Sequence, residues 1–159
     1  MKKTIIFLFA TLLLLSCQPE KQSPAFDKAA TAESARLMLH DYHAAIKREG
    51  LTGEFPYLDS SSDFFWVPPG YTSALPYDSV RTILEANAGA FTSVEFRWDT
   101  LQLFPLSAEI VNYTGIVTGK MVDTAGARIA TSIIESGTLI RREEGWKLLS
   151  GQSAVLGQD

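Results

Sequence analysis

Residues 94–155 constrain the fold most, because they form an almost continuous β-type pattern that leaves no space for a helix. β-Branched and aromatic residues alternate with polar ones in four segments, which short turn-forming stretches separate. Connections this short join antiparallel neighbours. The segments are residues 94–103, 108–122, 128–142 and 146–155. We therefore predict a four-stranded antiparallel meander, twisted enough to bury one face and to shape any pocket.

Two amphipathic segments precede the predicted sheet. Residues 31–49 place their apolar side chains on one helical stripe, with Thr31 as the N-cap and Gly50 just beyond the C-terminus. The stripe contains Ala35, Met38, Leu39, Tyr42, Ala45 and Ile46. A shorter helix is predicted over residues 78–91 with Asp78 as its N-cap. Its inward-facing residues are Val80, Ile83 and Leu84. Helices followed by a meander predict an α+β fold with the helices on one side of the sheet.

The N-terminus has the pattern of a bacterial lipoprotein signal. Lys2 and Lys3 precede an apolar run of secretory length, which ends in the sequence Leu-Leu-Ser-Cys at residues 14–17. This sequence resembles a lipobox, in which the cysteine is acylated and the segment before it is removed. The alternative is an ordinary signal peptide or a membrane anchor. We expect residues 1–17 to be the signal peptide and lipobox, residues 18–29 a flexible tether and residues 30–155 the folded domain.

Cysteine usage and charge narrow the partners and the location. Cys17 is the only cysteine, so the domain cannot form an internal disulfide. Loss of Lys2 and Lys3 leaves 12 of the 14 basic side chains against 18 acidic ones, a net charge of about −6. With no basic cluster, binding to nucleic acid is not expected. Acyl chains on Cys17 would hold the protein at the cell envelope. Gln18 in place of an aspartate favours the periplasmic side of the outer membrane.

The two histidines have two interpretations. His40 and His43 are three residues apart on the first predicted helix, a spacing that can bring both rings to one metal ion. A metal site needs a third ligand, and the sequence has no zinc-protease motif. The alternative is a solvated helix face that the histidines share with Arg36 and Lys47, and this is the interpretation we favour. We therefore predict no metal and no cofactor.

Residues 53–77 are rich in aromatic residues, prolines and glycines. Residues 64–67 are long enough for one short strand, which Pro68, Pro69 and Gly70 would end. The aromatic side chains could line or cover an apolar ligand pocket. They could equally fill the open end of a curved sheet with no ligand involved.

The order of elements and the end of the chain resemble the nuclear transport factor 2-like superfamily, in particular its SnoaL-like and ketosteroid-isomerase-like branches. The resemblance rests on the first helix, on Phe64-Phe65-Trp66, on the second helix and above all on residues 141–153. These last residues form a charged turn, Gly-Trp-Lys, two leucines and a polar end. The resemblance implies a strongly curved antiparallel sheet wrapped against N-terminal helices to form a cone, a cystatin-like architecture with a mainly apolar cavity. It also implies a homodimer through the outer face of the sheet.

Glu135 is the best candidate for a catalytic base. Enzymes with this fold place a carboxylate or a His-Asp pair in the cavity, and related sequences often have histidine where this chain has Ser150 or Gln152. On strand 128–142, Glu135 shares a face with apolar residues, which would raise its pKa if that face lines the cavity. The alternative is a carboxylate at a dimer interface or a strand edge, paired with Arg97 or Arg128. The predicted ligand-binding residues are Tyr42, Trp66, Trp98, Tyr113 and Gln152.

Three functions are compatible with the sequence. The first is a lipid-anchored domain that binds a small apolar molecule in an aromatic-lined cone. The second is an isomerase or dehydratase in which Glu135 moves a proton while Tyr113 or Gln152 steadies the oxyanion. The third is an assembly module that dimerises through the sheet. We favour the first, because the final strand lacks the histidine and the sequence has no metal constellation.

Overall fold

The structure is a computed structural model that describes residues 26–157. The predicted signal peptide, the lipidation site Cys17 and residues 18–25 of the predicted tether lie outside the described residues. Within residues 26–157, no helix is both long enough and apolar enough to cross a membrane.

Helix α1 covers Lys28–Glu49 and carries the predicted apolar stripe, all of which is buried. Its start was predicted wrongly, because the N-cap is Asp27, whose side chain accepts a hydrogen bond from the Ala30 N–H at 3.0 Å. Thr31 lies inside the first turn and is buried. The predicted end is confirmed: Gly50 follows Glu49 with φ at 74°, a conformation that glycine adopts without steric strain.

Three short elements connect α1 to the main sheet. A 3-10 helix covers Leu51–Tyr57, strand β1 covers Phe65–Val67, and helix α2 covers Tyr77–Asn87. Asp78 is not the N-cap of α2, because Pro76 holds that position with φ at −71°. A second 3-10 helix, Ala88–Ala90, follows α2, so the helix ends earlier than predicted.

The predicted meander is confirmed, with slightly different strand ends. Strand β2 covers Phe91–Pro105, β3 Ile110–Asp123, β4 Arg128–Arg142 and β5 Gly145–Val155. The strand order is β1-β5-β4-β3-β2, and all neighbours are antiparallel except β1 and β5. The short β1 therefore extends the sheet by one parallel edge strand. The sequence predicted a strand at this position but did not predict that it joins the sheet.

One face of the curved sheet packs against the helices. Alternate residues of β3 are buried, among them Val111, Tyr113 and Val117, and their neighbours are half-buried. The register places Leu139 and Glu135 of β4 on this same inner face, opposite Val111 and Gly115. The prediction of an α+β fold with helices against a curved antiparallel sheet is confirmed.

Candidate functional site

A cavity of about 270 Å³ lies between the helices and the inner face of the sheet. This volume is roughly that of nine water molecules in the liquid. Most of its lining is aliphatic or aromatic, including Phe64, Trp66, Val80, Leu84, Phe96 and Leu148. Four depressions of about 280 to 520 Å³ are larger, but they are more open to solvent and fewer apolar residues line them. The 270 Å³ cavity is the candidate site because polar groups converge on it inside an apolar wall.

Glu135 enters the cavity from β4 and is held by a tyrosine. The Tyr113 hydroxyl donates a hydrogen bond to Glu135 Oε1 at 2.7 Å. Gly137 makes room for this tyrosine, because a Cβ there would lie 2.9 Å from the ring and 2.5 Å from the Ser150 carbonyl oxygen. Burial raises the pKa of Glu135 to about 7, although the hydrogen bond from Tyr113 acts in the opposite direction. The carboxyl is thus close to half-ionised at neutral pH. The predicted alternative, a pair with an arginine, is absent among the described residues.

Glu54 brings a second carboxyl group to the same cavity, and the sequence did not indicate it. The Tyr42 hydroxyl donates a hydrogen bond to Glu54 Oε2 at 2.9 Å. Glu54 lies on the first 3-10 helix, which packs tightly on α1: a Cβ on Gly53 would lie 2.6 Å from the Ala45 carbonyl oxygen. Burial raises the pKa of Glu54 to about 7; the Tyr42 hydrogen bond opposes this shift and the nearby Glu135 adds to it. The only sequence signal was an isolated carboxylate among apolar residues.

His43 was predicted on a solvated helix face, and this was wrong. Its side chain is 6% exposed, lines the cavity and stacks on Trp98, with ring centroids 5.0 Å apart and planes at 20°. His40 is exposed, as predicted. Burial, followed by the charge of His40, lowers the pKa of His43 to about 4, so the ring is neutral at pH 7. In the part of the chain that the structure describes, no group of three or more metal-ligating side chains occurs.

The five predicted ligand-binding residues divide into three groups. Tyr42 and Trp66 line the cavity. Trp98 and Tyr113 are buried beside it, in edge-to-face contact with each other at 5.9 Å, and Tyr113 reaches the site only through Glu135. Gln152 is exposed on the opposite face of the sheet, where it borders an outer groove. It therefore cannot contact a ligand inside the cavity.

A β-bulge explains the misplacement of Gln152. In the β4–β5 ladder Leu139 pairs with Leu148, but the preceding Thr138 pairs with Ser150, so Leu149 is the extra residue. Beyond the bulge, the alternation of faces is shifted by one residue. Ser153, which pairs with Glu135, lines the cavity in place of Gln152.

No protein-family model matches the sequence, and no curated protein does. Solved structures do match. A nuclear transport factor 2-like superfamily protein from Salmonella enterica matches with a TM-score of 0.70 and 10% identity over 83% of this chain and 95% of that one.

Two further structures are similar in shape. A ketosteroid isomerase-like protein from Erwinia carotovora has a TM-score of 0.64 and 13% identity, over 84% of this chain and 100% of that one. A hexachlorocyclohexane dehydrochlorinase from Novosphingobium barchaimii has a TM-score of 0.63 and 14% identity, over 82% and 89%. At these identities the likeness concerns the fold and not the activity. The chain has the nuclear transport factor 2-like fold.

Proposed function

We propose that the cavity binds a small, mostly apolar molecule whose polar group contacts Glu54 and Glu135. The observation that carries this proposal is the placement of two carboxyl groups in an otherwise apolar cavity of about 270 Å³. Each carboxyl has one hydrogen bond, from a tyrosine. Buried polar groups with unused hydrogen-bonding capacity are costly to the fold, and a ligand with complementary groups offsets that cost.

Filling the cavity tests this proposal. The full chain, purified in detergent, is screened by thermal shift against small neutral, acidic and basic compounds with apolar bodies. Ile133→Phe places a larger side chain in the cavity and should abolish the shifts. Ile134→Phe is the matched control, because Ile134 is the next residue and is 43% exposed on the outer face. If no compound shifts the unfolding temperature, or if both variants respond as the wild type does, the proposal fails.

Proton transfer is a second candidate, which the ionisation of Glu135 favours. A carboxyl with a pKa of about 7 is a suitable general base at neutral pH. Glu135 would remove a proton from a carbon next to a carbonyl group and return it to another carbon. Glu54, in its protonated form, would donate a hydrogen bond to the enolate oxygen. The solved structures of similar fold include a ketosteroid isomerase-like protein and a dehydrochlorinase, so the fold is compatible with this chemistry.

Deuterium exchange tests the second candidate. Small ketones are incubated with the protein in D₂O, and loss of the proton next to the carbonyl is followed by NMR. Glu135→Gln should slow exchange by about a hundredfold or more, because amides do not act as general bases. Equal rates in the wild type and Glu135→Gln would remove Glu135 from the chemistry.

We also infer that Cys17 is acylated and holds the domain at the periplasmic side of the outer membrane. The support is the order of charged, apolar and Leu-Leu-Ser-Cys segments at the N-terminus. Intact mass spectrometry of the protein from the membrane fraction should show a chain that begins at Cys17 with added acyl groups. Cys17→Ser should release the protein from that fraction. An unmodified Cys17 in membrane-bound protein would contradict the inference.

A second copy of the chain is the partner that we propose for the outer face of the sheet. Three apolar side chains on this face, Phe65, Phe104 and Ile134, are 43 to 50% exposed. Apolar side chains that share a face favour burial against a partner. Light scattering should give the mass of a dimer for the wild type and of a monomer for Ile134→Lys. A monomeric wild type would exclude the dimer.

A further inference from the structure

The carboxyl oxygens in the cavity determine which ligand chemistry fits. Tyr42 donates to Glu54 Oε2 and Tyr113 donates to Glu135 Oε1. Among residues 26–157, no hydrogen bond reaches the second oxygen of either carboxyl. Neither second oxygen is sealed from solvent, because the fully buried polar side-chain atoms without a partner in that range are His43 Nδ1 and Trp98 Nε1. Each carboxyl thus offers a free acceptor, while both tyrosine protons are already in use.

His43 supplies an independent indication that a polar ligand group belongs in this cavity. It is a polar side chain, 6% exposed, that lines the cavity wall, and neither ring nitrogen has a hydrogen-bond partner within the described chain. Nδ1 is fully buried, whereas Nε2 is not, so Nε2 is the nitrogen that a ligand can reach. The lowered pKa of His43 keeps the ring neutral near pH 7, so it does not repel a cation. The cavity therefore holds two carboxyl groups with a free acceptor oxygen, Glu54 and Glu135, beside a neutral imidazole.

The surroundings of the carboxyls lack a positive charge. No lysine or arginine is among the described residues that line the cavity. Lys47 of α1 is instead paired with Glu95 on the surface at 2.7 Å. An ionised carboxylate in an apolar cavity is stabilised by a cation, and charge-assisted hydrogen bonds are about twice as strong as neutral ones. The missing charge can be brought by the ligand.

We propose that the ligand of this cavity is an organic amine whose ammonium group donates to Glu54 and Glu135 and whose apolar body packs on the aromatic wall. A primary ammonium has three N–H donors, enough to serve the free oxygen of both carboxyls. Phe64, Trp66 and Phe96 line the same cavity and give both apolar contact and a cation–π surface. A ligand that carries a carboxylate or phosphate would add negative charge beside two carboxyls and is selected against. This inference rests on the proposal that the cavity binds a ligand.

Three compounds with the same apolar body test the amine class: 2-phenylethylamine, 2-phenylethanol and 3-phenylpropanoate. The full chain in detergent is titrated with each one by calorimetry at pH 7.5. We expect the amine to bind at least about ten-fold more tightly than the alcohol, and the carboxylate not to bind. Equal affinity for amine and alcohol, or tighter binding of the carboxylate, would overturn the amine class.

Isosteric variants locate the binding energy. Glu54→Gln and Glu135→Gln should each weaken the amine by about ten-fold or more and leave the alcohol unchanged, because each removes a negative charge and keeps the shape. Glu95→Gln, on the exposed surface, is the control and should bind as the wild type does. An amine affinity that neither cavity variant changes would overturn the proposal. The comparison of the three compounds on the wild type decides the question even if a variant does not fold.

The same measurements distinguish the amine class from the more general proposal that the cavity binds a ligand. If neutral compounds bind and Ile133→Phe abolishes their binding while amines do not bind, the cavity is a ligand site and the amine class is wrong. If no compound of any charge binds, both proposals fail.

Discussion

Asp59 and Glu135 are carboxyl groups that folding removes from bulk water, yet their pKa values shift in opposite directions. Asp59 is 4% exposed and lies beside Arg142, the last residue of β4, whose Nε donates to Asp59 Oδ2 at 2.6 Å. Burial alone would raise the pKa of Asp59, but hydrogen bonds from Arg142 and Ser61 outweigh it, and the pKa is lowered. Glu135 receives one hydrogen bond from a neutral tyrosine, and burial dominates.

The comparison shows that the charge of the partner, more than burial, decides what a buried carboxyl can do. The guanidinium of Arg142 keeps Asp59 ionised and uses both of its oxygens, at 2.6 and 3.3 Å, so this pair contributes to the fold. Tyr113 positions Glu135 and leaves its charge uncompensated and one oxygen free. A proton or a ligand can therefore act on Glu135 and not on Asp59.

Glu135→Gln should have the largest effect, which is a change in how the free energy of unfolding depends on pH. Below pH 4.5 Glu135 is neutral in both the folded and unfolded states. Between pH 4.5 and about 7 only the unfolded state loses the proton, so the wild type loses stability as the pH rises, by up to about 3 kcal/mol from this group. The titratable groups that interact with it are Tyr113, Tyr42 and Glu54.

Glu135→Gln removes this loss and should flatten the profile. Urea denaturation from pH 4.5 to 8 measures it, and the variant should gain on the wild type as the pH rises. The Glu54 contribution remains in both proteins. Parallel profiles would mean that the pKa of Glu135 is not raised.

Tyr113→Phe should have the next largest effect. It removes the hydrogen bond to Glu135 Oε1 and should cost about 2 kcal/mol of unfolding free energy above pH 7, where the carboxyl is ionised. The pKa of Glu135 should rise further, because this hydrogen bond holds it down. Denaturation and carboxyl-carbon NMR measure the two effects. Tyr71→Phe, at a side chain that is 45% exposed, is the control and should change neither.

Asp59→Asn should have a smaller effect with the opposite pH dependence. At pH 7 it should cost about 1 kcal/mol, because water screens a pair whose arginine is 37% exposed. The lowered pKa means that the stabilisation is present above the ordinary aspartate pKa and is lost as the pH falls through the folded-state value. The wild type and the variant should therefore converge in acid. A difference that grows in acid would contradict the ion-pair interpretation.

The smallest expected effect is a shift in the pKa of Glu54. In Glu135→Gln the pKa of Glu54 should fall from its value of about 7, because the negative charge of Glu135 contributes to raising it. Carboxyl-carbon NMR titration of Glu54 measures this, with Asp59 as the internal reference that should not move. An unchanged Glu54 pKa would show that the two carboxyls do not interact.

Local pattern was enough to predict the framework and the side chains that share a strand face with Glu135, but not that this face lines the cavity. The alternation along residues 128–142 places Glu135 on the same face as Leu139, and Leu139 is fully buried. The spacing of apolar residues in α1 likewise predicted which apolar side chains are buried. Both inferences succeed because a strand repeats every two residues and a helix every 3.6, so the face of a residue follows from its position.

The sequence by itself determined the helices, the meander, the turn at Gly50 and which residues share a strand face with Glu135, because these depend on neighbours within one or two turns of chain. The tertiary structure decided the rest of the site. Glu54 lies in the cavity because a 3-10 helix packs on α1, and His43 is buried because Trp98 of a distant strand stacks on it. Gln152 faces outward because one bulge shifts the pleat. Contacts between residues far apart in sequence produce no periodic pattern in the local sequence, so they cannot be predicted from it.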